Sequence, residues 1–467
     1  MTIVYILLTV SISTQGLQMS KKTSERAEEM FLAVGNPRLT PDEIRDLAWA
    51  TGFQKRAHRK IEPLAFASLL LHESVKGAPS YNDLAARTEV IGGESVSRQG
   101  VWKRVNDECV HFLQAILARA IMGRLPRSLA DAYSSCGPYK RVLIQDSTVV
   151  RLPLRLFAAF SGVANASSSV CNARIQVVYD LVAAEFVAFS VDSYSKNDLK
   201  AAPELELREG DLVLRDRGYL CCEEIQRHVD WGADCVYRHK HKTVYIDPKT
   251  GKPVDLIARL DRDGSIDMDV QLNNKERTPV RLVAAPVEEE TANLRRMKLK
   301  KEAKGHAPSA QLLHLMSWTI FITTISRADA SFRDLLAIYG LRWRIESIFK
   351  AWKSNMNFAA IHGVSEKQLH ALLAARMTTI VIWTHIVFRP ACERIRKDYA
   401  DELSLMKTTK YLARNPERIS AIVVALRQKT GREPVLDALA RYCTYDKRKR
   451  LNFNQIQDRI FKSLGLS

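Results

Sequence analysis

The spacing of apolar residues changes near residue 140, and that change constrains the fold more than any other feature of the chain. From about 21 to 130 apolar residues recur at helical intervals, whereas KRVLIQDSTVVRL reads as a strand with Asp146 in its middle. ARIQVVYDLVAAEFVAFSVDSY follows as two apolar strands about a turn near 183–185. A short helical stretch at about 197–207 comes next, then DLVLRDRGYL, a strand ending at Asp216. The order strand, strand, strand, helix, strand, with acids on the first and last of them, predicts an α/β core. Residues 221–232 read as a further helix and ADCVYRHK as a further strand.

Residues 243 to about 315 break this pattern. They hold short strand-like pieces (TVYID, DMDVQL, PVRLVAAPV), turn residues Pro248, Gly251 and Gly264, and the basic run LRRMKLKKEAKG. An inserted β-rich subdomain with a mobile basic loop is expected there. HLMSWTIFITTIS then reads as a buried strand, and the remainder to Ser467 is largely helical, with a basic YDKRKR stretch at 445–450. The expected division is a leader at 1–20, a helical domain at 21–130, an α/β domain at 131–375 with its insertion at about 240–318, and a helical region at 376–467.

The 70 Lys and Arg against 52 Asp and Glu leave a formal charge of +18. That excess favours a polyanionic partner, because basic groups that neutralise phosphates release counterions. No long basic amphipathic helix supports a membrane partner. None of the eight cysteines (Cys109, Cys136, Cys171, Cys221, Cys222, Cys235, Cys392, Cys443) forms a CxxC pair, which argues against a zinc ribbon or redox motif and fits a reducing cytoplasm. The apolar start MTIVYILLTVSISTQGLQ lacks a basic n-region and is too short to span a bilayer. Met19 is therefore expected to be the natural start.

Residues 339–353 read YGLRWRIESIFKAWK, with Tyr339, Arg342, Glu346 and Lys353 at offsets 0, 3, 7 and 14. On one helix those side chains fall within roughly 60° of each other. A lone carboxylate among cations and a phenol suits a face where Glu346 holds a divalent metal and the others hold phosphate oxygens. The structural alternative is an ion-paired exposed helix with Trp343, Ile345 and Phe349 toward the core. Asp146, Asp216 and Glu346 together offer hard oxygen ligands without His or Cys, which favours Mg²⁺ or Mn²⁺ over zinc. Two such ions could flank a phosphodiester.

Near the N-terminus, Thr40-Pro41-Asp42-Glu43 is a capping box and Ser80-Tyr81-Asn82-Asp83 opens a helix in the same way. SYNDLAARTEVIGGESVSRQGVWKRVNDE then suggests helix, turn, helix, the second helix beginning near Ser97 and presenting Arg98, Gln99, Lys103 and Arg104 on polar faces. Such a helix could enter a major groove. The connection at 88–96 is long for a standard helix-turn-helix, so a plain helical bundle stays open.

These residues resemble the DDE transposases of bacterial insertion sequences, of the insertion-sequence-4 type. That type's signature is Tyr, two residues, Arg, three residues, Glu, six residues, Lys, and Tyr339, Arg342, Glu346 and Lys353 satisfy each spacing. Asp146 in QDSTVV and Asp216 in LRDRGY match the two Asp motifs in order, and the likeness covers roughly 140–365 well. It implies an RNase H-like catalytic core with a β-rich insertion, flanked by helical N-terminal and C-terminal domains. It assigns Asp146, Asp216 and Glu346 as catalytic ligands of two Mg²⁺ ions, with Mn²⁺ able to substitute. Tyr339, Arg342 and Lys353 fall to the transposon-end backbone, Lys350 to a further DNA contact, and Trp318 to stacking on a flipped base during hairpin formation.

The implied activity is cut-and-paste transposition of DNA. Its implied partners are terminal inverted repeats, target DNA and a second copy of the chain. A silent DNA-binding regulator and a nuclease without strand transfer are the alternatives. Ser147 stands where relatives of this type often have Gly, and Thr324 where they often have Asn.

Overall fold

The structure, a computed structural model, describes residues 39–56, 60–92, 95–122, 139–162, 170–303, 307–361, 365–415, 418–428, 432–446 and 451–463. The expected leader and Met19, Cys136, the end of the basic run at 304–305 and residues 447–450 of the YDKRKR stretch lie outside them.

Nine strands form one sheet: β1 Arg141–Arg151, β2 Asn172–Asp180, β3 Glu185–Ser193, β4 Asp211–Arg215, β5 Asp234–Arg238, β6 Tyr245–Ile246, β7 Ile266–Leu272, β8 Pro279–Pro286 and β9 Trp318–Thr323. Their order is β3-β2-β1-β4-β5-β9-β8-β7-β6. β1, β2 and β3 pair antiparallel, β1, β4 and β5 run parallel, and β9 returns antiparallel to β5. The period of two works on both faces of the sheet. Leu212 and Leu214 join one core with Ile144, Ile345 and Ile348, while Val213 joins a second core with Leu143, Ile225 and Tyr237. A sheet covered on both sides explains why β1 and β4 read as near-continuous apolar runs.

The region expected to be a separate β-rich subdomain instead extends this sheet. β8 pairs with β9 from Arg281↔Thr323 to Pro286↔Trp318, and β7 and β6 follow outward. Pairing both edges of β9 removes a long open edge from the middle of the molecule. The expected mobile basic loop is, through residue 302, the helix Glu289–Glu302. Glu289 and Glu290 in its first turn and Lys300 and Lys301 in its last complement the helix dipole. The stretch expected to be helical at 197–207 holds only the helix Asp198–Ala201, because Pro203 disfavours helical backbone at the residue before it.

In the N-terminal region Thr40 closes its capping box on the helix Pro41–Ala50. The helices Pro63–Ser74 and Asp107–Met122 pack against Glu366–Trp383. Fully buried Arg376 fastens the last of these to the end of Pro63–Ser74 and to the 358–360 segment, bonding the carbonyls of Ser74, Gly77, Phe358 (2.9 Å) and Ala360 (2.8 Å). The boundary expected at 375 thus falls inside a helix. The helical run Glu366–Tyr399 is long and apolar enough to cross a membrane, but 94% of its most apolar window is buried within the protein.

Candidate active site

Parallel pairing sets Gln145 of β1 opposite Arg215 of β4. Asp146 and Asp216, each one residue further on, therefore sit one strand spacing apart, roughly 4.8 Å. Ile144 and Leu214, two residues before each acid, face the core that includes Ile345 and Ile348. Side chains two apart on a strand point the same way, so both acids face the Glu346 segment.

That segment is two helices rather than the one expected, Phe332–Gly340 and Trp343–Asn355. At their joint the amides of Leu341, Arg342, Arg344 and Ile345 each bond the carbonyl three residues back. This is the tighter 3-10 pattern, and it starts beside Gly340, a poor helix former. The joint still brings the signature together. Tyr339 Oη donates to Asp216 Oδ1 at 3.2 Å. Arg342 Nη1 donates to Asp146 Oδ2 and its Nη2 to Glu346 Oε1, each at 2.6 Å. Lys353 Nζ donates to the Val149 carbonyl at 2.9 Å, and Lys350 is exposed. Ile345 and Phe349 are buried as the structural alternative expected, but Trp343 is 61% exposed.

Burial pushes the Asp146 carboxyl up to about 6; Arg342 and the Ser147 amide oppose the rise, and Glu346 and Asp216 add to it. Burial alone would lower Arg342, yet Tyr339, Asp146, Glu346 and Asp216 hold it above its ordinary value. The Tyr339 phenol is raised by burial and by Asp216, so it stays protonated. Burial lowers Lys353.

Sequence reasoning missed Asp198. It accepts a hydrogen bond from Ser147 Oγ at 2.7 Å and pairs with buried Arg174, which also donates to Ser147 Oγ at 3.2 Å. A Cβ at Gly218 would come within 3.3 Å of Asp198 Oδ2. Asp198 is thus wedged between Ser147 and Gly218, neighbours of the two strand acids Asp146 and Asp216. The one signal was a hydroxyl, Ser147, in an apolar strand, since hydroxyls drawn even partly out of water take partners.

Trp318 begins β9 beyond the strand end that carries Asp216, but it packs on the other face of the sheet, with Ile320 and Ile322, whereas Phe321 lies on the face of the acids, its ring 5.2 Å from that of Tyr339. Trp318 Nε1 donates to the Gly264 carbonyl at 3.2 Å, and its ring lies 5.0 Å from His314. Arg295 holds its backbone, donating to the Trp318 carbonyl at 3.0 Å. In the N-terminal region Ser97 caps the helix Arg98–Arg104, and Arg98, Gln99 and Lys103 are exposed. Arg104 instead turns inward, its guanidinium 3.8 Å from the centre of the Phe53 ring.

The family described as Transposase DDE domain matches residues 138–382. The chain belongs to that family. It is 24% identical over 434 residues to the transposase for insertion sequence element IS231B of Bacillus thuringiensis subsp. berliner, covering 85% of this chain and 90% of that one. Against the transposase for insertion sequence element IS1151 of Clostridium perfringens it is 25% identical over 333 residues, 66% of this chain and 70% of that one. A solved piggyBac transposase synaptic complex with hairpin DNA aligns over 98% of this chain and 89% of that one, at 7% identity and a TM-score of 0.42, too slight a likeness to argue from.

As a DDE transposase the chain is an enzyme of DNA, and members of this family generally use divalent metal ions. The donor chemistry here fits a hard cation: three carboxylates and no softer ligand, with Asp146 raised chiefly by burial and further by Glu346 and Asp216. As the side chains stand, no three acidic, His or Cys side chains among the described residues are grouped to share an ion. Arg342 lies among the acids and bonds two of them.

Proposed function

We propose that this transposase carries the insertion-sequence-4 type signature and moves its element by cut and paste. Asp146, Asp216 and Glu346 are its catalytic acids and metal ligands. Two Mg²⁺ ions bound there, or Mn²⁺ in their place, would activate the attacking oxygen and stabilise the leaving one. Tyr339, Arg342, Lys350 and Lys353 hold the backbone of the strand being cut, and Arg98, Gln99 and Lys103 contact the terminal repeat. Tyr339 serves as a phosphate ligand and not as a nucleophile, since burial beside Asp216 keeps its hydroxyl protonated.

Water cuts one strand at the element's end and frees a 3′-OH. That hydroxyl attacks the opposite strand to close a hairpin, a second water reopens it, and the 3′-OH attacks target DNA. Trp318 offers an indole face to the base displaced in the hairpin, worth about 1–3 kcal/mol. The two ends are cut together, which calls for a homodimer on paired ends.

One observation supports this reading above the rest: Arg342 and Tyr339 tie Asp146, Asp216 and Glu346 into a single cluster. The test is incubation of purified protein with labelled inverted-repeat DNA and Mg²⁺. Hairpins and joined products are expected; nicking alone would mark a nuclease, and no cleavage a regulator. Glu346→Gln should abolish cleavage while end DNA still binds. Retained turnover would remove Glu346 from the catalytic set.

A further inference from the structure

Arg342 is aimed at the very carboxylates that the proposed function gives to a cation. Its two terminal amino groups donate to Asp146 Oδ2 and Glu346 Oε1 at 2.6 Å, and its buried Nε has no partner. The guanidinium is planar, always charged, and matched to carboxylate and phosphate alike. An ion held by Asp146 and Glu346 would lie beside this buried positive charge, and in a partly buried site that repulsion is strong. Arg342 must then move away, or the ion must bind weakly. A phosphate offers it somewhere to go, with the same two-pronged geometry.

We propose that Arg342 is an internal stand-in for the cation, released when a DNA phosphate takes its guanidinium, so that DNA and metal each strengthen the binding of the other. This rests on the reading of Asp146, Asp216 and Glu346 as metal ligands. The coupling keeps a DNA-free transposase poorly loaded, and so unable to cut until DNA arrives. By thermodynamic reciprocity, metal tightens DNA binding by the factor with which DNA tightens metal binding.

The test is calorimetric titration of the full chain with Mn²⁺, alone and with a DNA duplex at low salt, where phosphate contacts hold DNA whatever its sequence. The duplex should tighten Mn²⁺ binding by about fivefold or more. Arg342→Gln should tighten Mn²⁺ binding to the DNA-free chain by a similar factor and shrink the effect of DNA to what the phosphate oxygens contribute themselves. Arg342→Lys, which keeps the charge without the fork, should fall between. The proposal is overturned if a cooperatively melting Arg342→Gln chain binds Mn²⁺ no tighter than wild type, or if DNA tightens its binding by as large a factor as it does for wild type. Should that variant not fold, Arg342→Lys decides, and an affinity no higher than wild type overturns the proposal. Glu346→Gln separates the two readings, because Mn²⁺ binding equal to wild type would sink the ligand assignment itself.

Discussion

Among single residues, Asp198 is the one whose substitution distinguishes positioning from ligation. Asp198→Asn leaves Arg174 against a neutral amide and weakens the hold on Ser147, beside Asp146. The expected result is a lower single-turnover cleavage rate at unchanged DNA affinity, with a stability loss of about 1–3 kcal/mol. A loss of DNA affinity at full rate would place Asp198 on the substrate instead. The three expected acids were readable because an Asp within or at the end of an apolar strand, and a Glu on a cationic helix face, each stand out locally. Asp198 did not, since its partners lie 51 and 24 positions away. The structural alternative placed Trp343 in the core on its apolar side chain alone, while the 3-10 joint before it turns it out to solvent.

At the level of elements, the β1–β2 pairing carries a buried acid of its own. Asp180, the last residue of β2, accepts the amides of Val142 at 3.2 Å and Val182 at 3.0 Å. Burial pushes its carboxyl from 3.8 up to about 6, against the pull of those amides. The folded chain then holds a proton that the unfolded chain has released. Its contribution is most favourable below pH 3.8 and declines as pH rises through about 6, by roughly 3 kcal/mol in all. Urea unfolding should show Asp180→Asn gaining on wild type by up to that amount between acid and neutral pH. A constant difference across that range would contradict the shift. Strands β1 to β5 were readable because burial on alternate faces leaves a mark on adjacent letters. The pairing of β8 with β9 was not, because nothing local says which edge an inserted strand will choose. The helix Glu289–Glu302 read as a loop since Ala292 is its one fully buried residue and it presents no apolar stripe.

Over the whole molecule, the charge of +18 should appear as a steep salt dependence of DNA binding. Five cations are assigned to the backbone or repeat: Arg98, Lys103, Arg342, Lys350 and Lys353. They predict a log–log slope of about −4 to −5 per protomer, and Lys350→Ala should reduce its magnitude by about 1. An unchanged slope would remove Lys350 from the interface. The unbroken sheet has a further consequence. β9 is hydrogen-bonded to β5 on one side and β8 on the other, so Trp318 and Asp216 are marks on one graduated scale. Lengthening the outer strands β6 and β7 leaves that scale untouched, whereas deleting one residue within β9 would slide Trp318 by a full notch and turn its indole to the opposite face of the sheet.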